Sequence, residues 1–272
     1  MREFTITNVE LKSIITEIKT VAHLFHRRGW AESNAGNLSC NVSSILEKEK
    51  PENLTPADNF PLSRRYEHIA NQYFILSGSG MRFRDIAAEI LDNIVLIKIS
   101  EDGKSYNYIV NNGANFAKIR PTSELPTHLA IHDFIQKEKR NEKVVFHTHV
   151  NELIALSHKK EFNNSYKITQ LLQSMHPEVV INVPKGIGVL PYMLPGTEPI
   201  ADATVGLLSK HNLIVWEKHG VFAIGDKPYE CFDKIDIISK AAKIYLLCKM
   251  YGFEPEGISQ NHIDELRNFF KV

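Results

Sequence analysis

The sequence is poor in cysteine, carries no net charge and lacks long apolar runs. Its 272 residues include three cysteines, Cys40, Cys231 and Cys248, an odd and widely spaced set that excludes a disulfide framework and a Cys-x-x-Cys zinc site. The 32 basic and 32 acidic side chains balance without a basic block, which argues against nucleic acid or an anionic membrane as a partner. We therefore expect small-molecule chemistry in a reducing compartment.

Two further absences concern targeting. No apolar run approaches the roughly 20 residues of a membrane span, and residues 1–9 contain no apolar core of signal-peptide length. A cytoplasmic protein without membrane contact is expected. The length allows one large domain or two small ones.

Helical and strand-like patterns alternate without the strict order of a doubly wound sheet. An amphipathic helix is predicted to begin near Val9 and to end before Gly29, with capping-box spacing between Thr7 and Glu10. Further helices are predicted at 125–136, 165–174, 199–210, 229–250 and 261–270, and strands at 38–42, 73–76, 94–99, 106–110, 143–146 and 213–216. The stretch with Pro51, Pro56 and Pro61 is predicted to carry little regular structure.

The segment Phe146-His147-Thr148-His149 carries the clearest chemical signal. Side chains two positions apart on an extended backbone point to the same side, so His147 and His149 can bind one metal ion. His219 follows another strand-like run and can supply a third nitrogen, and three protein ligands with one open position are typical of catalytic zinc. Because these histidines are far apart in sequence, we predict one α/β domain over residues 1–272. Its sheet should be mixed and mainly antiparallel, flanked by helices.

The remaining histidines are interpreted as structural or solvated. Six of them have no partner at ligand spacing: His23, His26, His68, His158, His211 and His262. His128 and His132 lie four positions apart on a predicted helix and could form a second metal pair. The apolar residues between them favour a half-buried helix face instead.

Two polar segments are candidates for the remaining chemistry. Thr122-Ser123-Glu124 begins a helix, where a capping role alone explains such residues, although Glu124 could also act as a base. Residues 77–80 (SGSG) follow a predicted strand and can present N–H groups and hydroxyls to an anion, but they lack the lysine of a P-loop.

Taken together and in this order, these segments resemble the class II, zinc-dependent sugar-phosphate aldolase family over nearly the whole chain. The segments that carry the resemblance are 32–38 (ESNAGNL), 77–80 (SGSG), 121–128 (PTSELPTH), 147–149 (HTH), 186–191 (GIGVLP) with 195–197 (PGT), and 219–222 (HGVF). Two positions depart from the family pattern: Ala35 replaces a glycine between the two asparagines, and Met81 replaces a lysine after the second glycine of SGSG.

The resemblance implies a set of roles for named residues. It implies one zinc ion per chain on His147, His149 and His219, with Glu124 as the catalytic base. It implies phosphate binding by the residues Asn34, Asn37, Ser79, Gly80, Thr122 and Ser123. The implied reaction is reversible cleavage of a ketose 1-phosphate between C3 and C4, where a dication stabilises the developing enediolate.

The resemblance also implies a homotetramer with active sites at subunit interfaces. Glu178, in the segment HPEVVI before a predicted strand, would then reach a neighbouring subunit's zinc site and carry a proton for the C4 hydroxyl. From its surroundings alone, Glu178 is interpreted as a solvated carboxylate at a strand end.

Three alternatives remain open at this point. A pentulose-phosphate 4-epimerase uses the same cleavage followed by recombination, but related epimerases carry Asp at the position of Glu124. A binding module of the adducin-head type would have lost its metal ligands. A Schiff-base aldolase would use a lysine such as Lys185 or Lys218.

Overall fold

Nine strands form one mixed sheet in the part of the chain that this computed structural model describes, residues 9–49, 54–111 and 119–272. The strands are β1 (Asn37–Asn41), β2 (Leu54–Pro61), β3 (Tyr73–Ser77), β4 (Ile94–Ile99), β5 (Ser105–Asn111), β6 (Val144–Thr148), β7 (Ile187–Leu190), β8 (Leu213–Trp216) and β9 (Gly220–Gly225). Their order is β2-β5-β4-β3-β1-β6-β9-β8-β7, and only β7 and β8 pair in parallel. The predicted mixed, mainly antiparallel α/β sheet is confirmed.

Helices cover both faces of the sheet. They are α1 (Val9–Arg27), α2 (Ser43–Glu49), α3 (Phe83–Ala88), α4 (Ile90–Asn93), α5 (Leu125–Lys137), α6 (Asn151–Ser157), α7 (Ser165–Met175), α8 (Pro177–Asn182), α9 (Glu198–Leu208), α10 (Pro228–Met250) and α11 (Gln260–Phe270), with a 3₁₀ turn at Lys160–Phe162. The predicted helices agree with these bounds to within about two residues, the usual variation of helix ends. Thr7, half of the predicted capping box, lies outside the described residues.

Alternation along the central strands divides the core between the two faces. Val144 and Phe146 of β6 pack in the cluster formed with α1 and α10, while Val145 packs with Ile131 and Ile135 of α5 on the other face. The antiparallel pairing of β1 with β6 places Asn37 opposite His147, and the α5 face of these strands is where polar side chains collect.

Two sequence predictions about secondary structure are wrong. Pro56 and Pro61 belong to β2, and α2 precedes it, in a stretch expected to lack regular structure; Pro51 is outside the described residues. Because β2 is an edge strand paired only with β5, proline can occupy positions that donate no ladder hydrogen bond. Glu178 lies in the first turn of α8 and not at a strand end. The Nδ1 atom of His176 accepts from its N–H, and Pro177 suits the first helical turn.

Candidate metal centre

Three histidines meet at one end of the sheet. His147 lies near the end of β6, His149 directly follows that strand, and His219 lies in the turn between β8 and β9. Their candidate ligand atoms all lie within 4.8 Å of one another, and they form the one such group found among the described residues. The His147 ring centroid is 5.2 Å from that of His149 and 4.9 Å from that of His219. The pair His147 and His149 and the distant His219 therefore lie together, as predicted from the sequence.

Hydrogen bonds on the far side of two rings determine which nitrogen faces the centre. The Nδ1 of His147 lies 3.2 Å from the carbonyl oxygen of Val221, and the Nδ1 of His149 lies 2.8 Å from Oε1 of Glu32. Both partners are acceptors, so each Nδ1 carries a proton and Nε2 is the nitrogen left for a metal ion. Sequence reasoning missed Glu32, although it begins the segment that also contains both asparagines.

The chemistry of this donor set fits a divalent metal. His147 is fully buried, and its Nε2 has no hydrogen-bond partner among the described residues. Burial holds the pKa of His147 well below its usual range, and burial with neighbouring His149 lowers the pKa of His219 to about 4. Three imidazoles at one point are a typical ligand set for a catalytic zinc site.

A close approach of the backbone makes this arrangement possible. A Cβ atom on Gly220 would lie 2.6 Å from the Thr148 carbonyl oxygen and 2.8 Å from Cε1 of His147. The histidine rings can therefore pack against the start of β9 only because residue 220 has no side chain. The strand β6 is further held at its end, where the His149 N–H and the Thr148 hydroxyl both donate to the carbonyl oxygen of Trp30.

Glu124 directs its carboxylate at the histidines. It is only 7% exposed, and its Oε1 lies 3.8 Å from Nε2 of His147 and 4.0 Å from Nε2 of His219. Burial raises the pKa of Glu124 to about 7, against an opposing hydrogen bond from Asn37. The side chain of Glu124 does not cap α5; its own N–H is instead bound by the Thr122 hydroxyl at 3.2 Å. No side-chain capping hydrogen bond is found at the start of α5, so the capping interpretation is wrong for Thr122 as well as for Glu124.

An open cleft of about 350 Å³ is lined by Glu124 and by two of the three histidines, His149 and His219. Most of the residues assigned to phosphate binding line it: Asn34, Asn37, Gly80, Thr122 and Ser123. Ser79 is exposed beside this lining, but its N–H donates to the Arg120 carbonyl oxygen. Met81 also lines the cleft, and no lysine or arginine does so among the described residues.

Two positions in this wall behave differently from expectation. Ala35 is not among the residues with a positive φ, and its N–H donates to the Glu32 carbonyl oxygen. An alanine at this position, where the family has a glycine, therefore causes no backbone strain. Asn37 lines the cleft, but its side-chain amide is hydrogen-bonded to other protein groups. Its Nδ2 donates to Oε2 of Glu124 at 3.1 Å, and its Oδ1 lies 2.5 Å from Nε2 of His128.

The expected half-buried setting of His128 and His132 is wrong. Both side chains are completely or almost completely buried, at 0% and 1% exposure, because α5 packs directly on β1. Each ring bonds to Ser39 Oγ, His128 through Nδ1 at 2.7 Å and His132 through Nε2 at 2.8 Å. They do not belong to the group formed by His147, His149 and His219.

Known proteins identify the family to which these features belong. The model of the class II aldolase and adducin N-terminal domain matches residues 16–246. The chain belongs to the class II aldolase family. Within it, a rhamnulose-1-phosphate aldolase of Bacteroides thetaiotaomicron is 35% identical over 95% of this chain and 94% of its own length. Another protein of that name, from Escherichia coli O157:H7, is 34% identical over 90% and 89%.

A solved structure shows the same architecture for this class II aldolase. The sugar-phosphate aldolase of Thermotoga maritima superposes with a TM-score of 0.78 at 31% identity, covering 91% of this chain and all of that one. Family membership makes the chain a metal-dependent enzyme of the aldehyde-lyase type. No helix among the described residues has the length and apolar character needed to cross a bilayer.

Proposed function

We propose that this enzyme is a zinc-dependent aldolase that reversibly cleaves L-rhamnulose 1-phosphate to dihydroxyacetone phosphate and L-lactaldehyde, as in L-rhamnose catabolism. The observation that carries the proposal is the approach of the Glu124 carboxylate to within 3.8 and 4.0 Å of two histidines of a three-imidazole group. Relatives named rhamnulose-1-phosphate aldolase, which are similar over nearly the whole chain, support this substrate.

In this proposal His147, His149 and His219 hold the zinc ion. When bound, zinc supplies a Lewis acid that stabilises the negative charge developing on the substrate oxygens. Glu124 acts at the carbon next to the carbonyl, removing a proton from dihydroxyacetone phosphate in the direction of synthesis. The hydrogen bond from Asn37 and the approach of the carboxylate to His147 and His219 support this role.

The phosphate end of the substrate is assigned to the opposite part of the cleft. Asn34, Ser79, Gly80, Thr122 and Ser123 surround that part with hydroxyl, amide and backbone donors. Because no cationic side chain lines the cleft within the described residues, phosphate binding would depend on these donors for orientation. Asn37 keeps a place in this wall, but its amide is already bonded to Glu124 and His128.

The proposal includes a homotetramer in which Glu178 acts in a neighbouring subunit. Glu178 is exposed on α8, its Oε2 accepts from Asn182 Nδ2 at 2.9 Å, and it does not line the cleft of its own chain. Protonation of the C4 alkoxide needs an acid other than Glu124, which acts at C3. A partner's Glu178 would meet this need.

We also propose that residues 1–272 act as one domain in the cytoplasm.

The test is to measure dihydroxyacetone phosphate release from a panel of ketose 1-phosphates, with and without a chelator. We expect L-rhamnulose 1-phosphate to be the best substrate and zinc to restore the activity that chelation removes.

Preferential cleavage of L-fuculose 1-phosphate would change the substrate, and epimerisation of a pentulose phosphate would indicate the epimerase. Activity that survives chelation and is trapped by borohydride would indicate a Schiff base, for which Lys218, paired with Glu217 at 2.8 Å, has no place in the cleft lining. Absence of both activity and bound metal would favour a binding module.

A further inference from the structure

A chain of buried hydrogen bonds leads away from Glu124 into the layer between β1 and α5. It joins His132, Ser39, His128 and Asn37 to the carboxylate, with successive distances of 2.8, 2.7, 2.5 and 3.1 Å. Each of these side chains is at most 7% exposed. The proposed reaction uses only the carboxylate at its end, so the other four polar groups have no catalytic role assigned.

The geometry of two regular elements produces this chain. Positions 124, 128 and 132 recur every four residues at the start and along one face of α5, which is about 6 Å per step. Asn37 and Ser39 recur every two residues on one face of β1, which is a little under 7 Å per step. Because the two repeats nearly match, the helix and strand can interleave their side chains as successive links.

The direction of every link follows from the chemistry of its atoms. The Oδ1 of Asn37 can only accept, so Nε2 of His128 must carry a proton, and Nδ1 of His128 must accept from the Ser39 hydroxyl. The Oγ of Ser39 then accepts from Nε2 of His132. Burial lowers the pKa of both imidazoles to about 3, so each ring has one donor and one acceptor.

This direction decides how Asn37 faces the base. If its amide were rotated by half a turn, the Asn37 oxygen would face Oε2 of Glu124, and two acceptors would oppose each other. In the observed orientation Nδ2 donates to Oε2, which leaves Oε1 turned toward Nε2 of His147 and His219. The carboxylate at one end and the Nε2–H of His128 at the other therefore favour the same orientation of the Asn37 amide.

We propose that Ser39, His128 and His132 are positioning residues that, through Asn37, hold the Glu124 carboxylate in the rotation needed to reach the substrate. The side chains of this hydrogen-bond chain are uncharged, and every donor along it points toward Glu124. They therefore orient the carboxylate without changing their own protonation. The consequence for the reaction rests on the proposed function. The polarity of the chain can be tested without any turnover.

The direct test is nitrogen NMR of histidine-labelled, metal-loaded protein, with the His128 signals assigned by their loss in His128→Phe. We expect His128 to be protonated at Nε2 in the wild type, and Ser39→Ala to shift it toward a tautomer mixture. A wild-type His128 protonated at Nδ1 would overturn the proposal, whatever the enzyme's substrate.

The kinetic test compares proton exchange on dihydroxyacetone phosphate. Ser39→Ala and His132→Phe should each lower kcat for exchange about tenfold or more, the usual effect of losing a partner that orients a site residue, with zinc content and KM unchanged. The double variant should be no slower than Ser39→Ala alone, because one broken link already uncouples the chain. Thr127→Val is the matched control, since this buried hydroxyl on α5 has no hydrogen-bond partner in the part of the chain that the structure describes.

The outcomes separate the two proposals. No exchange by the wild-type enzyme would contradict the proposed function and leave the NMR test of the chain standing. Normal exchange by Ser39→Ala, a loss confined to KM, or an equal loss in Thr127→Val would contradict the positioning role.

Discussion

At the scale of single residues, the site depends on histidine rings that are oriented by hydrogen bonds at their Nδ1 atoms, on the side away from the centre. The His147 ring stacks on Phe222 with centroids 4.3 Å apart and planes 18° apart, while its Nδ1 is bound by the Val221 carbonyl. His149 is oriented by Glu32 in the same way. Such partners restrict both the tautomer and the rotation of a ligand, so the loss of a ligand or of its partner should weaken metal binding.

We expect His147→Ala to lose most of the bound zinc, because three nitrogen ligands become two and the remaining site is open to water. Metal analysis of dialysed protein measures this, with about one zinc ion per chain in the wild type. His158→Ala is the control, since His158 is exposed beyond α6 and is not part of the metal group. Full zinc content in His147→Ala would place the metal elsewhere.

We expect Glu124→Gln to retain zinc while slowing proton exchange on dihydroxyacetone phosphate about a hundredfold or more, the range for losing a general base. The amide oxygen can still accept from Asn37 Nδ2, so the local packing is preserved. Exchange is followed by loss of label from the substrate. A wild-type rate in this variant would rule out Glu124 as the base.

At the scale of elements, the site depends on two close approaches, β6 against β9 and β1 against α5. The first tolerates no side chain at Gly220, and the second fills the layer between strand and helix with hydrogen-bonded polar groups. Each contact combines packing with chemistry, so substitutions there should change stability and the site together.

Gly220→Ala should lower both zinc affinity and the free energy of unfolding, the latter by about 1–3 kcal/mol, because the new methyl group meets backbone and two histidine rings. Zinc competition and urea unfolding measure the two effects. Gly206→Ala in α9 provides the contrast, since a Cβ there meets nothing within 4 Å and should stabilise the helix by up to about 1 kcal/mol. Unchanged zinc affinity in Gly220→Ala would show that the histidines can move apart without cost.

The buried imidazoles of His128 and His132 should make the fold sensitive to acid. Their folded-state pKa values of about 3 lie below the unfolded value of 6.5, so the unfolded chain binds more protons between these limits. Their contribution to stability is complete above pH 6.5 and is lost as the pH falls toward 3.

Urea unfolding of metal-free protein between pH 4.5 and 7 tests this sensitivity. For His132→Phe, the slope of unfolding free energy against pH near pH 5 should be smaller than that of the wild type by about 1.4 kcal/mol per pH unit, one proton's worth. The subtraction from wild type removes the effects of the other histidines. Parallel curves would show that His132 is already protonated in the folded protein.

At the scale of the whole molecule, one chain brings together the proposed metal ligands and the proposed base, but not the proposed second acid. Glu178 lies on the outside of α8, bonded to Asn182 and absent from the cleft wall. The proposed tetramer would supply it from a neighbour.

We expect Glu178→Ala to form tetramers, to bind zinc and to exchange the dihydroxyacetone phosphate proton, but to lose most carbon–carbon cleavage. Mixing it with Glu124→Gln should restore part of the activity, because hybrid tetramers contain interfaces with both residues intact. Glu265→Ala, which removes an exposed carboxylate on α11, should cleave normally. A fully active monomer in sedimentation analysis would contradict the shared site.

Local sequence patterns were sufficient for most elements. The strand predicted at 94–99 is the β4 of the structure, because a run of buried β-branched residues ends at a turn with glycine at φ +70°. The β2 strand was missed because two prolines outweigh strand propensity locally, and only its place at the sheet edge makes them acceptable. Whether a strand is an edge is a property of the assembled sheet.

By itself the sequence determined the α/β class, because periodicity acts over a few positions, and its motifs resembled the family that the comparisons confirm. It also predicted that His147, His149 and His219 lie together. Only the tertiary structure decided which partners orient those residues: Glu32 behind His149, and Asn37 with the buried His128 between Glu124 and Ser39. These contacts join positions about ninety or more apart in the chain. They arise from the packing of α5 on β1 and of the Trp30 loop on β6, whose geometry no short pattern encodes.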